Sequence, residues 1–241
     1  MIKEHINRFI YKNVCSSDMG LIITEAPHIT SPERDIELIS VPGKDGDVIN
    51  DNGKFKNNTV TYNVNLIADE RSLALMAASL KAWLQSEVGY FNLTDTYDPL
   101  YYRKAAFSGV IDIEDKVKKI GISSLSFNCK PFKYRVDGER DTIITDPTTI
   151  YNPEAWKSYP YIKIYGTGAV TLHIQNNSFY ISNIDEYIEL DSELQSAFKG
   201  TSLKNDKISF STFPFFVPGA NSVSWVGNVS KIIIKTRWCC I

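Results

Sequence analysis

The sequence predicts a mainly β protein in two domains, the first of which carries a single helix. Three observations predict it. Between Thr59 and Leu66 apolar and polar residues alternate with a period of two, the mark of a half-buried strand. Only one stretch, Leu73 to Leu84, places Leu73, Met76, Leu80, Trp83 and Leu84 on one helical face. Beyond about residue 135 the chain becomes a succession of short apolar runs separated by turn residues, as in a β-sandwich.

Taken in order, Phe9-Ile10-Tyr11 and Leu21-Ile22-Ile23-Thr24 read as the first strands, and Glu37 to Val41 as a third that ends at Pro42. The segment Val41-Pro42-Gly43-Lys44-Asp45-Gly46 is a turn cluster, because Pro fixes φ and the glycines permit φ > 0. The polar stretch from Gly43 to Asn58 follows, either a flexible loop or an extended hairpin, with a turn signal at Asp51-Asn52-Gly53. After the strand Thr59 to Leu66, Asp69 is placed to cap a helix from about Glu70 to Ser86, with Gly89 just past its end. Tyr90 to Leu93 is a strand and Asp98-Pro99 a turn. Tyr101 to Ile113 and Gly121 to Cys129 are two more strands, joined through the charged segment Glu114 to Lys119. Lys130-Pro131-Phe132-Lys133 marks the end of this unit, which sets the domains at 1–135 and 136–241.

In the second domain Asp146 to Thr149 and Tyr151-Asn152-Pro153 are rich in turn residues. Val170, Leu172 and Ile174 alternate with Thr171, His173 and Gln175, and Asn176-Asn177 suits a tight turn into Phe179-Tyr180-Ile181. Ile184 to Leu190, Lys207 to Ser211, Asn221 to Trp225 and Ser230 to Lys235 complete the strands. No internal repeat or low-complexity tract is visible.

Composition excludes several classes. The 241 residues are 43% hydrophobic and 12% aromatic, enough to bury a core and rich in side chains that favour strands and interfaces. With 26 basic and 28 acidic residues the formal charge is −2, so no basic field gathers nucleic acid. No run of 18 apolar residues signals a membrane span, and no export signal is visible at the N-terminus. Cys15, Cys129, Cys239 and Cys240 fit neither a zinc site nor a disulfide framework; they read as reduced thiols of a protein made in the cytosol.

Catalytic signatures are lacking. His5, His28 and His173 are far apart, and no nucleophile elbow, P-loop or zincin motif occurs. His173 reads as a hydrogen-bonded surface side chain. Gly166-Thr167-Gly168 reads as a turn between strands rather than a phosphate cradle. Asp112, Glu114 and Asp115 read as a charged loop rather than a glycosidase pair. No catalytic, metal or cofactor residue is therefore assigned.

The ordered series of motifs carries more. The Val41–Gly46 cluster is followed by Ala82-Trp83-Leu84, Tyr101-Tyr102-Arg103 and Phe127-Asn128-Cys129-Lys130-Pro131-Phe132. The second half adds Asn152-Pro153, Ser158 to Gly168, Leu190 to Glu193, Phe213 to Val223 and Thr236-Arg237-Trp238. In order and spacing this series, which spans nearly the whole chain, resembles the distal tail proteins (Dit) of siphophages. Two departures stand out. Lys44 occupies a position where the family usually has Arg, which forks its hydrogen bonds differently, and Cys239-Cys240-Ile241 replaces a charged ending.

The resemblance implies an N-terminal β-barrel-like domain related to tail-tube proteins and a C-terminal galectin-like β-sandwich. It implies a structural protein rather than an enzyme, a tail-tip hub in which six copies form a ring. The implied partners are further copies of itself, the tail tube protein, the tail-associated tip protein (Tal) and receptor-binding proteins, with DNA only as passing cargo. Such a protein is assembled in the bacterial host cytoplasm and ends in the virion, at the tail tip. The alternative is a carbohydrate-binding module for the host cell wall. His173, Gln175 and Asn177 have a spacing comparable with a galectin site, and Trp156 and Trp225 are available, but no Arg accompanies them.

Overall fold

The computed structural model of the chain describes residues 7–68, 72–115 and 120–241. The chain divides into two compact units, Met1–Lys133 with Ile241, and Tyr134–Cys240. It is mainly β, with one α-helix among the described residues, as the sequence predicts.

In the first unit the strands are β1 (Phe9–Tyr11), β2 (Val14–Cys15), β3 (Leu21–Ile23), β4 (Arg34–Ile39), β5 (Val48–Phe55) and β6 (Asn58–Ile67). Helix α1 (Leu73–Gln85) follows, and then β7 (Phe91–Asp95), β8 (Tyr101–Phe107), β9 (Glu114–Asp115) and β10 (Ile120–Arg135). The main sheet runs in the order β2-β1-β7-β8-β10-β6-β3, with β9 against β10. The alternation of β6 does what it predicts. Val60, Tyr62, Val64 and Leu66 are buried, and Leu73, Met76, Leu80 and Leu84 of α1 pack into the same core. At its centre Phe9 stacks on Tyr62 (4.8 Å between centroids), while Phe127 meets Tyr11 edge-on (5.0 Å).

Several boundaries differ from expectation. Asp69 and Glu70 lie outside the described residues; the described cap is Ser72, extended at φ −69°, ψ 150°, whose Oγ accepts from the Leu75 N–H (3.3 Å). β8 stops at Phe107, short of Ile113. Pro131 does not end β10, which continues to Arg135. The stretch Gly43 to Asn58 is an extended hairpin rather than a loop, and its turn is at the Val41 cluster, not at Asp51-Asn52-Gly53. Lys44 N–H donates to Val41 O (3.1 Å) across Pro42 and Gly43, and Gly43 has φ +77°, a turn with proline second and a left-handed glycine third. Asp51-Asn52-Gly53 lies inside β5 beside a register shift between Arg34 and Ile36; Gly53 N–H folds back onto Asp51 Oδ1 (2.9 Å).

The second unit contains β11 (Thr142–Ile144), β12 (Thr148–Asn152), β13 (Tyr161–Ile174), β14 (Asn177–Asp191), β15 (Ser196–Lys199), β16 (Ser202–Leu203), β17 (Gly219–Lys235) and β18 (Cys239–Cys240). Its sheet runs β11-β17-β13-β14-β15-β16, with β12 also on β17. Both ends of the long strands feed one core: Ile162, Ile164, Leu172 and Ile174 of β13 share it with Ile188, Leu190, Ile232 and Ile234.

Here too the sequence reading needs correction. Thr148 to Asn152 is strand, not turn. Gly166-Thr167-Gly168 lies within β13, at irregularities in its pairing with β14 and β17, and no turn forms there. Asn221–Trp225 and Ser230–Lys235 are parts of one strand. Lys207 to Ser211 forms no strand; Asn205–Lys207 is a 3-10 turn, followed by a single bridge from Ile208 to Ile181. The β13–β14 turn uses Gln175 and Asn176, one residue earlier than expected, with Gln175 at φ +51°.

Candidate functional site: an exposed hairpin arm

β4 and β5 form a two-stranded sheet of their own, joined to no other strand among the described residues. The register pairs Ile39 with Val48, Leu38 with Ile49, Glu37 with Asn50 and Ile36 with Asp51. Neighbouring residues on a strand point to opposite faces. The Leu38–Ile49 pair therefore makes one face apolar, and the Ile39–Val48 pair makes the other apolar as well. Leu38 is 59% and Ile49 65% exposed, and Ile36, Ile39, Val41 and Val48 are exposed too. An isolated hairpin is marginally stable in water, and an exposed apolar strand pair invites association.

Charged pairs hold the arm together below its tip. Arg34 donates to Asp51 from Nε (3.1 Å) and Nη2, and its guanidinium lies over the Phe55 ring (5.3 Å). The hydrogen bond from Arg34 keeps the Asp51 carboxyl below the usual carboxylate range. Lys54 faces Asp35 (3.3 Å) and Lys56 faces Glu33 (2.9 Å). At the base Phe55 meets Phe132 edge-on (5.9 Å). Exposed pairs of this kind fix shape more than they add stability. The arm thus has an apolar outer half and a braced, charged base.

The other residues singled out by the sequence serve the fold. Arg103 reaches Asp95 (3.4 Å) and Asp98 (3.8 Å). Phe127 and Cys129 are core, and burial pushes the Cys129 thiol up to about 11. Asn152 bonds Trp156 O (2.8 Å) and accepts from Glu154 N–H (3.0 Å). Arg237 grips Asp191 with both terminal nitrogens (2.8 and 3.0 Å), and Trp238 packs on Phe216. Lys44 is exposed at the arm's tip.

Two of the residues named for the sugar-binding alternative have polar contacts within their own unit. His173 Nδ1 is 2.9 Å from Ser178 Oγ, Gln175 Nε2 donates to Ala220 O (2.8 Å), and Asn177 is exposed. Trp225 is half-buried against the core of the second unit, and Trp156 is half-buried. His28 and Asp112 are exposed, Glu114 belongs to the short strand β9, and His5 lies outside the described residues. Among the described residues no group of three or more His, Cys, Asp and Glu side chains could hold a metal ion, and no helix is long and apolar enough to cross a membrane.

Sequence reasoning missed Ile36, Leu38 and Ile39 as surface residues because an apolar run before Pro42 reads as a core strand. The available signal was the partner strand. Between its first two residues and Phe55, β5 reads Asn-Asp-Asn-Gly-Lys, too polar to pair inside a core.

Residues 18–129 match the model of a family described as the phage tail protein RIFT-related domain. A comparison with curated proteins finds no match. Among solved structures the chain is similar to the SPP1 Dit protein (gp 19.1), described as a paradigm of the hub adsorption apparatus in phages that infect Gram-positive bacteria. The TM-score is 0.75 at 11% identity, over 95% of this chain and 98% of that one. The resemblance drawn from the motifs is therefore matched by a phage tail family on the first unit and by the Dit fold along nearly the whole chain.

Proposed function

We propose that this chain is a structural hub of a siphophage tail tip. Six copies form a ring through the first unit, and the ring joins the tail tube to the tail-associated tip protein and the host-adsorption apparatus. The observation that carries the reading is the β4–β5 arm. A ring needs head-to-tail contacts, so each copy must present two different complementary surfaces. An arm with apolar pairs on both faces and, among the described residues, no further strand beside it is one such surface. The family match and the likeness to a Dit protein support the same assignment. The near-neutral charge suits a ring through which DNA passes without sticking.

Negative-stain electron microscopy of the purified protein at high concentration tests this, alone and with tube protein. The expected result is six-fold rings with a central hole. A variant lacking Asp47 to Phe55 should stay a folded monomer by circular dichroism and light scattering. Normal rings and tails from that variant would defeat the assignment of the arm.

A further inference from the structure

Among the described residues the main sheet of the first unit does not close on itself. Its path ends at β2 on one side and β3 on the other, and among the described residues neither has a second strand partner. The 3-10 turn Ser16–Met19 links these two ends, and beside it lies a groove of about 590 Å³. The groove is lined by Arg8, Ile10, Cys15, Leu21, Ile22 and Ile67, among others. Ile10 and Ile67 are each 41% exposed, and Ile22 is partly exposed. The floor is fixed. Gly20, at φ +74°, has so little room that an added Cβ would lie 2.4 Å from Met76 Cε of α1, and its carbonyl accepts from Ile67 N–H (2.9 Å).

We infer that this groove is the receptor for the β4–β5 arm of a second copy, an inference that rests on the ring reading above. Among the described residues both halves of the contact lack a further strand partner within one chain, and they match in kind. The arm offers Leu38, Ile49, Ile39 and Val48 on an open-edged two-stranded sheet. The groove offers three isoleucines beside the open edge of β3. An arm strand laid along β3 would satisfy free backbone groups on both and cover both apolar surfaces. Strands of six and eight residues extend about 20–26 Å, enough to reach out of their own unit. Each copy gives an arm at one place and receives one at another, which is the heterologous arrangement a ring requires.

Cys15 is a native reporter in the groove, partly exposed and not in a disulfide. The test places single cysteines on the arm, Leu38→Cys, Val48→Cys and Ile49→Cys in turn, in a Cys240→Ser background, and oxidises the assembled protein with copper-phenanthroline. A ladder of covalent oligomers from at least one position, lost when Cys15→Ser is added, is the expected outcome. Ile67→Asp, at the exposed rim, should shift the protein from ring to monomer with an unchanged circular dichroism spectrum. Rings that form normally in Ile67→Asp and give no cross-link through Cys15 would overturn the seating and leave the ring reading standing. A protein that stays monomeric at every concentration, with and without tube protein, would overturn both.

Discussion

Asp95 is only 7% exposed, yet both of its oxygens are used. Oδ1 accepts from the N–H groups of Tyr97 and Asp98 (2.9 Å each), and Oδ2 from the Tyr62 hydroxyl (2.6 Å) and Arg103 (3.4 Å). Burial, reinforced by the Asp95 charge, pushes the Tyr62 hydroxyl well above its usual pKa. Tyr62→Phe removes one donor from a buried carboxylate and should cost about 1–3 kcal/mol in urea unfolding, with an unchanged m-value. In the second unit Asp191 shows the opposite balance. Burial alone would raise its pKa, but the hydrogen bonds from Arg237 and from the Leu194 and Glu193 N–H groups outweigh it and hold it below the usual range. A depressed folded pKa means stability that is present above the unfolded value, about pH 4, and lost as the pH falls through the folded value. Asp191→Asn should therefore cost about 1.5–3 kcal/mol at pH 7, because it takes the paired carboxylate oxygens from Arg237 and leaves Glu193, at 3.7 Å, facing it. Unfolding followed from pH 6 to pH 3 should show the gap to the wild type narrowing. Neither role was legible from the sequence. Arg103 and Arg237 could be picked out as parts of motifs, but the carboxylates they meet lie 8 and 46 residues away.

At the scale of elements, periodicity was reliable where one face is buried and one is wet. β6 and α1 follow their patterns almost residue for residue, because burial selects side chains at the period of the backbone. Glycine misled where it serves packing rather than turning. A Cβ on Gly166 would lie 2.2 Å from the Asn228 carbonyl oxygen across the ladder, so the residue is there to let β17 approach β13. Gly166→Ala should cost about 1–3 kcal/mol in thermal or urea unfolding, since the obstacle is backbone and has little room to move. An unchanged stability would mean that the two strands can part there without loss. Asp51-Asn52-Gly53 misled for a related reason, since a bulge and a turn draw on the same residue types.

For the whole molecule, the motifs pointed to a phage tail protein because they mark structural locks distributed along the chain, such as Asn152 on Trp156 and Arg237 on Asp191. What the sequence hid is which surfaces lack a partner, because that depends on how strands fuse and where a sheet stops. The arm brings a genetic consequence. Among the described residues it joins no other strand of its own copy, so a copy without it should still fold and still present the groove between β2 and β3. In the proposed ring such a copy would accept a neighbour but extend to none, and would end its growth. Co-expressed with intact protein, arm-less copies would act dominantly, leaving open arcs in place of rings. Phage yield would then follow a steep power of the intact share of the pool rather than fall in proportion to the arm-less share.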